Sequence, residues 1–140
     1  MGGRVIRQKY ITRADLGANP ERLYVFGDNM MRHGNGGQAA AMRGMPNAVG
    51  IPTKWAPHRG DTAYFNDASF LHDDVRTALA DAFYKLWHHL ESGRDIVIPS
   101  DGIGTGLAEL PTRAPAFYAH IIGQISRLEG FFGVIHENNS

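Results

Sequence analysis

Two glycine-rich loops, each opening from a short apolar run and leading into a helix-like stretch, restrict this chain more than any other feature. The first reads Asp28-Asn29-Met30-Met31-Arg32-His33-Gly34-Asn35-Gly36-Gly37-Gln38 and follows Leu23-Tyr24-Val25-Phe26. The second reads Pro99-Ser100-Asp101-Gly102-Ile103-Gly104-Thr105-Gly106-Leu107 and follows Ile96-Val97-Ile98. A short, wholly apolar run bounded by turn residues reads as a strand covered on both faces. Strand, loop and helix in succession, twice over, predict an α/β sheet. Glycine also lets backbone N–H groups crowd around an anion, and a helix N-terminus adds partial positive charge. Two such loops on one small domain point to a phosphate-bearing ligand held from both sides.

The remaining pattern fits that frame. Residues 5–11 read as a strand, and residues 15–22, with Gly17, Asn19 and Pro20, as a turn. The alanine-rich residues 38–43 predict a short helix stopped by Gly44. Residues 48–52 form a third strand that delivers Lys54 to its end, and residues 55–67 are an irregular loop or flap. Leu71, Val75, Leu79, Ala82, Phe83, Leu86 and Leu90 recur at three- and four-residue steps, which predicts a long helix ended by Gly93. After the second loop, Thr112 caps a last helix with Pro115 in its first turn. Phe117, Ile121, Ile125 and Leu128 are its buried stripe and Gly130 its stop. Residues 131–136 close the chain as a strand. The expectation is a single domain over residues 1–140, a three-layer α/β/α sandwich with a mixed sheet. Ligands of open α/β sheets sit beyond the carboxyl ends of strands. Both loops and Lys54 lie at such ends, so one cleft is expected to hold all three.

Composition removes several function classes. The 140 residues carry 14 basic and 14 acidic side chains, so no polybasic surface argues for nucleic acid or an anionic membrane. With no cysteine, disulfides and thiolate metal sites are excluded. Of the seven histidines, His88 and His89 are adjacent on the long helix and point in different directions, and the others are scattered. No metal and no cofactor is expected. Asp73, Asp74 and Asp81 read as a solvated helix face. The opening Met1-Gly2-Gly3-Arg4-Val5 has no signal-like apolar character and no run reaches transmembrane length, so a cytoplasmic chain without a membrane partner is expected. Asn138-Asn139-Ser140 matches a glycosylation acceptor only formally.

Within the loops, Asp28 and Asn29 can bond ribose hydroxyls or orient a water, or form an Asx turn after the strand. Arg32 and His33 can face phosphate or solvent. Lys54 can pair with phosphate or, desolvated, act as a nucleophile toward a sugar aldehyde through a Schiff base. Glu109 and Asp101 are candidate general acid–base groups, with local capping the other reading of Asp101. Trp55, Tyr64 and Phe65 can stack on a base or pin the flap to the body. The second loop is neither a Walker sequence nor a dinucleotide fingerprint, because no Gly-Lys-Ser/Thr follows and the early βαβ placement is missing.

These residues resemble the macro domain, a fold that binds ADP-ribose. The run from Ile96 to Pro99 and the loop Gly102-Ile103-Gly104-Thr105-Gly106-Leu107 are similar to that family's strand and second diphosphate loop. Asp28-Asn29 with Gly34-Asn35-Gly36-Gly37 resembles its first. Asp15-Leu16 is similar to the segment whose aspartate holds the adenine amino group, although Ala14 stands where glycine is expected. The layout is closest to the branch that removes ADP-ribose from acidic side chains, with its DNA-directed relatives in bacterial antitoxins. There a lysine in an Ile-Thr-Lys-like segment attacks the distal ribose; here Ile51-Pro52-Thr53-Lys54 is similar, with a proline inserted. That branch also uses an aspartate two residues after the last loop glycine, where this chain has Ala108 followed by Glu109.

The resemblance implies a glycohydrolase acting on ADP-ribose-modified protein or nucleic acid. Asp28, Asn29, Lys54 and Glu109 would be its catalytic residues. Asp15, residues 34–38 and residues 100–107 would bind the ligand. The alternatives are a non-catalytic module that binds ADP-ribose or a related nucleotide signal, and a phosphatase acting on ADP-ribose 1″-phosphate. The oligomeric state is left open.

Overall fold

The computed structural model describes residues 2–137, so the Asn138-Asn139-Ser140 triplet lies outside the described residues. Five strands form one sheet: β1 (Val5–Gln8), β2 (Leu23–Asn29), β3 (Ala48–Lys54), β4 (Ile96–Pro99) and β5 (Val134–Glu137). Between them run α1 (Arg13–Ala18), α2 (Ala39–Met42), α3 (Asp73–Glu91), α4 (Leu110–Arg113) and α5 (Pro115–Phe132). The chain is therefore of the α/β class. The strand order is β3-β2-β4-β1-β5, and among the described residues every ladder is parallel. This corrects the expectation of a mixed sheet. Each link between successive strands carries a helix over a sheet face and takes the chain from the carboxyl end of one strand back to the amino end of the next, and such crossovers join parallel strands.

Strand order also fixes which face each helix covers. The steps β1 to β2 and β2 to β3 move toward one edge, and the next two steps move toward the other. Right-handed crossovers running in opposite directions lie on opposite faces. The packing agrees. Leu16 of α1 and Ala39 and Met42 of α2 bury against Ile6, Tyr24, Phe26 and Val97. Val75, Leu79 and Leu86 of α3 and Phe117, Ile121 and Ile125 of α5 bury against Val5, Val25, Ile96 and Ile98. Neighbours on a strand point to opposite faces, so the wholly apolar β4 feeds both cores.

Element boundaries differ from expectation for local reasons. Residues 15–22 are not simply a turn, because α1 occupies Arg13–Ala18. Thr12 accepts from the Asp15 backbone N–H while the Asp15 carboxylate accepts from the Thr12 backbone N–H, a capping box that starts this helix. Within the flap, Asp61–Ala63 and Asp67–Leu71 are short 3-10 turns, and α3 starts only at Asp73. Thr112 lies inside α4 rather than capping the last helix. The first turn of α5 is served by the Asp67 carboxylate, which accepts from the N–H groups of Ala116 (2.9 Å) and Phe117 (3.3 Å). That helix runs through Gly130 and stops at Gly133, whose φ of +90° suits glycine.

His89 gives the fold a pH signature. It is buried on α3, and its Nε2 donates to the Glu21 carbonyl at 2.8 Å. Burial disfavours the imidazolium and lowers the pKa below the ordinary histidine value, outweighing the bond to Glu21. As pH falls through the unfolded histidine value near 6.5, the unfolded chain takes up this proton before the folded one does. Stability is then lost until the folded His89 also titrates. Denaturant unfolding between about pH 7 and 5 is expected to show a shallower loss in His89→Gln than in the parent; equal slopes would remove His89 as the cause.

Candidate functional site

The strand order places a crevice between the carboxyl ends of β2 and β4. The chain leaves β2 for one face of the sheet and leaves β4 for the other, the topological switch at which α/β sheets hold ligands. The two strands pair only at Leu23–Ile96 and Tyr24–Val97, then part. Gln38 bridges the gap: its Oε1 accepts from the Gly27 N–H (3.1 Å) and its Nε2 donates to the Gly102 carbonyl (3.0 Å). One side chain thus ties the first loop to the second. Glycine is needed where they meet, since a Cβ on Gly104, at φ +78°, would lie 3.0 Å from Leu110 and 3.2 Å from Thr53.

The resulting cleft, open to solvent, is lined by Asp28, Asn29, Gly34, Gly36, Gly37, Gln38, Gly104, Gly106, Leu107 and Lys54. Both glycine loops and the lysine therefore meet in one place. Among the described residues, the backbone N–H groups of Gly34, Gly36, Gly37, Gly104, Gly106 and Leu107 make no hydrogen bond to a protein acceptor. The protein itself leaves these donors unspent at the cleft.

At one end of the cleft, Asp28 is buried and its carboxylate is held by two arginines. Arg32 approaches at 3.3 Å, and Arg43 pairs with both carboxylate oxygens. The Asn29 N–H adds a third donor at 2.8 Å. Arg43 also donates to the carbonyls of Gly34 and His33, and Asn29 Nδ2 donates to the His33 carbonyl at 2.7 Å. Asp28, Asn29 and Arg43 therefore fix the shape of the first loop. Gly50 makes room for this cluster, because a Cβ there would lie 2.8 Å from Asp28.

At the other end, Lys54 closes β3 and is 8% exposed. Its Nζ donates to the His58 carbonyl at 3.0 Å and lies 4.4 Å from the Tyr64 ring centre. Burial, with Arg59 and Arg113 nearby, lowers the pKa below the ordinary lysine value, and the Glu109 carboxylate opposes this. An amine so placed is less costly to hold neutral, as a nucleophile requires.

The other expected residues are distributed less tightly. Asp15 lies on α1 with its carboxylate engaged by the Thr12 N–H and, at 3.1 Å, by Gln8; it does not line the cleft. Asn35, Ser100, Asp101 and Thr105 are exposed and outside the lining, with the Thr105 hydroxyl donating to the Asp101 carbonyl. Gly102 adopts φ +98° and supports the loop, while Ile103 is buried in the core. Glu109, at φ +50°, pairs with Arg113 beside the cleft, and Ala108 is the residue that lines it. Trp55 and Phe65 meet edge to face at 5.0 Å, and Phe65 packs on Phe117, so they pin the flap. Sequence reading passed over Arg43, Thr53, His58 and Arg113. Several of their partners are distant in sequence: Arg43 and Asp28 are 15 positions apart and Thr53 and Asp28 are 25.

Residues 6–124 match the family of unknown function DUF7831. The chain belongs to the DUF7831 family. No curated protein and no solved structure matches it. The DUF7831 match spans both glycine loops, Lys54 and Glu109, so the whole cleft lies inside the family's own region. Among the described residues no cluster of three or more histidine, aspartate or glutamate side chains is placed to hold a metal, and no helix is long and apolar enough to cross a membrane.

Proposed function

We propose that the cleft is macro-domain-like and binds ADP-ribose, or the ADP-ribosyl group of a modified protein or nucleic acid, and that Lys54 hydrolyses the ADP-ribosyl linkage. The observation that carries this reading is the convergence of unspent backbone N–H groups from two glycine loops on the same cleft as a buried amine. The diphosphate takes the N–H groups of Gly34, Gly36, Gly37, Gly104 and Gly106, an anion site made of backbone alone. The distal ribose then lies toward Lys54.

In this mechanism the neutral amine attacks the anomeric carbon. A carbon–nitrogen bond forms as the bond to the departing group breaks, and that group leaves with the electron pair. The amine proton passes to solvent, and the ring opens to an iminium. Water adds to its carbon, and loss of the carbon–nitrogen bond returns the amine and frees ADP-ribose. Asp28 is assigned to loop architecture, because both its oxygens are taken by arginine.

A second reading, a module that binds without turnover, is favoured by Ala108 in the lining and by Glu109 being held by Arg113. Calorimetric titration with ADP-ribose, AMP and NAD tests the binding shared by both. Selective binding of ADP-ribose is expected, and release of ADP-ribose from modified protein or DNA then separates enzyme from binder. No binding of any of the three would end both readings.

A further inference from the structure

Arg113 stands at the meeting point of the flap, the second loop and Lys54. Its guanidinium carbon lies 3.7 Å from the Tyr64 ring centre, the same ring that Lys54 Nζ approaches at 4.4 Å. The same guanidinium pairs with Glu109 at 3.3 Å and with Asp61 of the flap at 3.7 Å. Tyr64 is itself fastened to β3, through an antiparallel bridge with Lys54. One side chain from α4 therefore touches the aromatic floor of the lysine, the nearest carboxylate and the flap.

We infer that Arg113 is the positioning residue for the Lys54 amine: it clamps Tyr64 against that amine and keeps the Glu109 carboxylate engaged elsewhere. Among the described residues Lys54 forms no ion pair, although Glu109 is close enough to act on it electrostatically. Freed from Arg113, Glu109 is the acid available to pair with Lys54 and hold it as an inert ammonium. Of the flap, His58, whose carbonyl holds the amine, Arg59, Asp61 and Tyr64 are the other charged or titratable residues nearby. Across the cleft stand His33 and the Asp28 carboxylate, the latter neutralised by Arg32 and Arg43. Removing Arg113 subtracts a repelling cation, releases an attracting anion and admits water beside the ring. All three favour the charged amine.

This inference rests on Lys54 being the reactive amine, so its test avoids ADP-ribose. The protein is labelled with acetic anhydride over a pH series, and acetylation of Lys54 is followed by peptide mass spectrometry against an exposed reference, Lys85. In the parent, Lys54 should label at lower pH than Lys85 once corrected for access. In Arg113→Met the Lys54 profile should move to higher pH, with labelling at about pH 8 slower by roughly three- to tenfold. Arg113→Lys should recover part of the loss. Glu109→Gln should move the profile the opposite way, which a merely loosened flap would not produce. Loosening alone would raise labelling at every pH. A Lys54 profile unmoved in Arg113→Met, or faster at every pH, overturns the role of Arg113 whatever the protein does with ADP-ribose. If the profiles move as expected and calorimetry finds no ADP-ribose binding, the positioning role stands and the nucleotide reading falls.

Discussion

Lys54→Ala is expected to remove turnover of ADP-ribosylated substrate while ADP-ribose still binds. The backbone donors that would take the diphosphate belong to Gly34, Gly36, Gly37, Gly104 and Gly106, and none of them is held by the lysine side chain. Loss of the nucleophile should therefore lower kcat by about 10²- to 10⁴-fold and change affinity by only a few-fold. Borohydride added during turnover should fix a ribosyl adduct on Lys54 of the parent and none elsewhere. An alanine variant with intact turnover would exclude the lysine mechanism. Tight binding without turnover in the parent would instead favour the non-catalytic module.

The same residue should reveal itself in stability. Folding holds the Lys54 pKa below its ordinary value, chiefly by burial. Between the folded and unfolded values the unfolded chain binds more protons, so stability rises with pH across that window and the cost of burying the ammonium is fully present below it. Lys54→Met, similar in length and without charge, should be at least as stable as the parent near neutral pH. Its advantage should fade as pH climbs toward the unfolded lysine value. Stability set against function in this way is common at reactive sites.

How much of this was legible in the sequence depended on whether the signal was local. The apolar run at Ile96, Val97 and Ile98 predicts a strand buried on both faces, and β4 is the central strand that feeds both cores. The period of Val75, Leu79, Leu86 and Leu90 predicts α3 because one helical face meets one side of the sheet. Strand direction was not local. It follows from which face each crossover takes, and the mixed sheet was expected without that constraint. The signal for α1 is local too, since Thr12 and Asp15 stand at capping-box spacing, but Gly17 and Pro20 pull the same stretch toward a turn on propensity alone. The meeting of both glycine loops and Lys54 was legible from strand ends alone. The arginines were not, because Arg43 reaches Asp28 and Arg113 reaches Tyr64 only after the sheet has brought distant segments together.

Asp28 is where the residue type suggested chemistry and its surroundings assign architecture, and the two make opposite forecasts. Asp28→Ala leaves Arg43 without its carboxylate in a half-buried place and removes the acceptor for the Asn29 N–H. Breaking such a pair costs about 3 kcal/mol, because the surviving charge must be resolvated or left unpaired. Arg43 also holds the carbonyls of His33 and Gly34, so the first loop should lose its shape and ADP-ribose affinity should fall with stability. Asp28→Asn keeps the volume and one acceptor oxygen, and should lie between the parent and the alanine variant. Denaturant unfolding and calorimetry on the three proteins test this, with affinity expected to track stability in order. A variant as stable as the parent that binds normally and no longer turns over would return Asp28 to catalysis. The arginine pair would then tune the carboxylate rather than spend it on the loop.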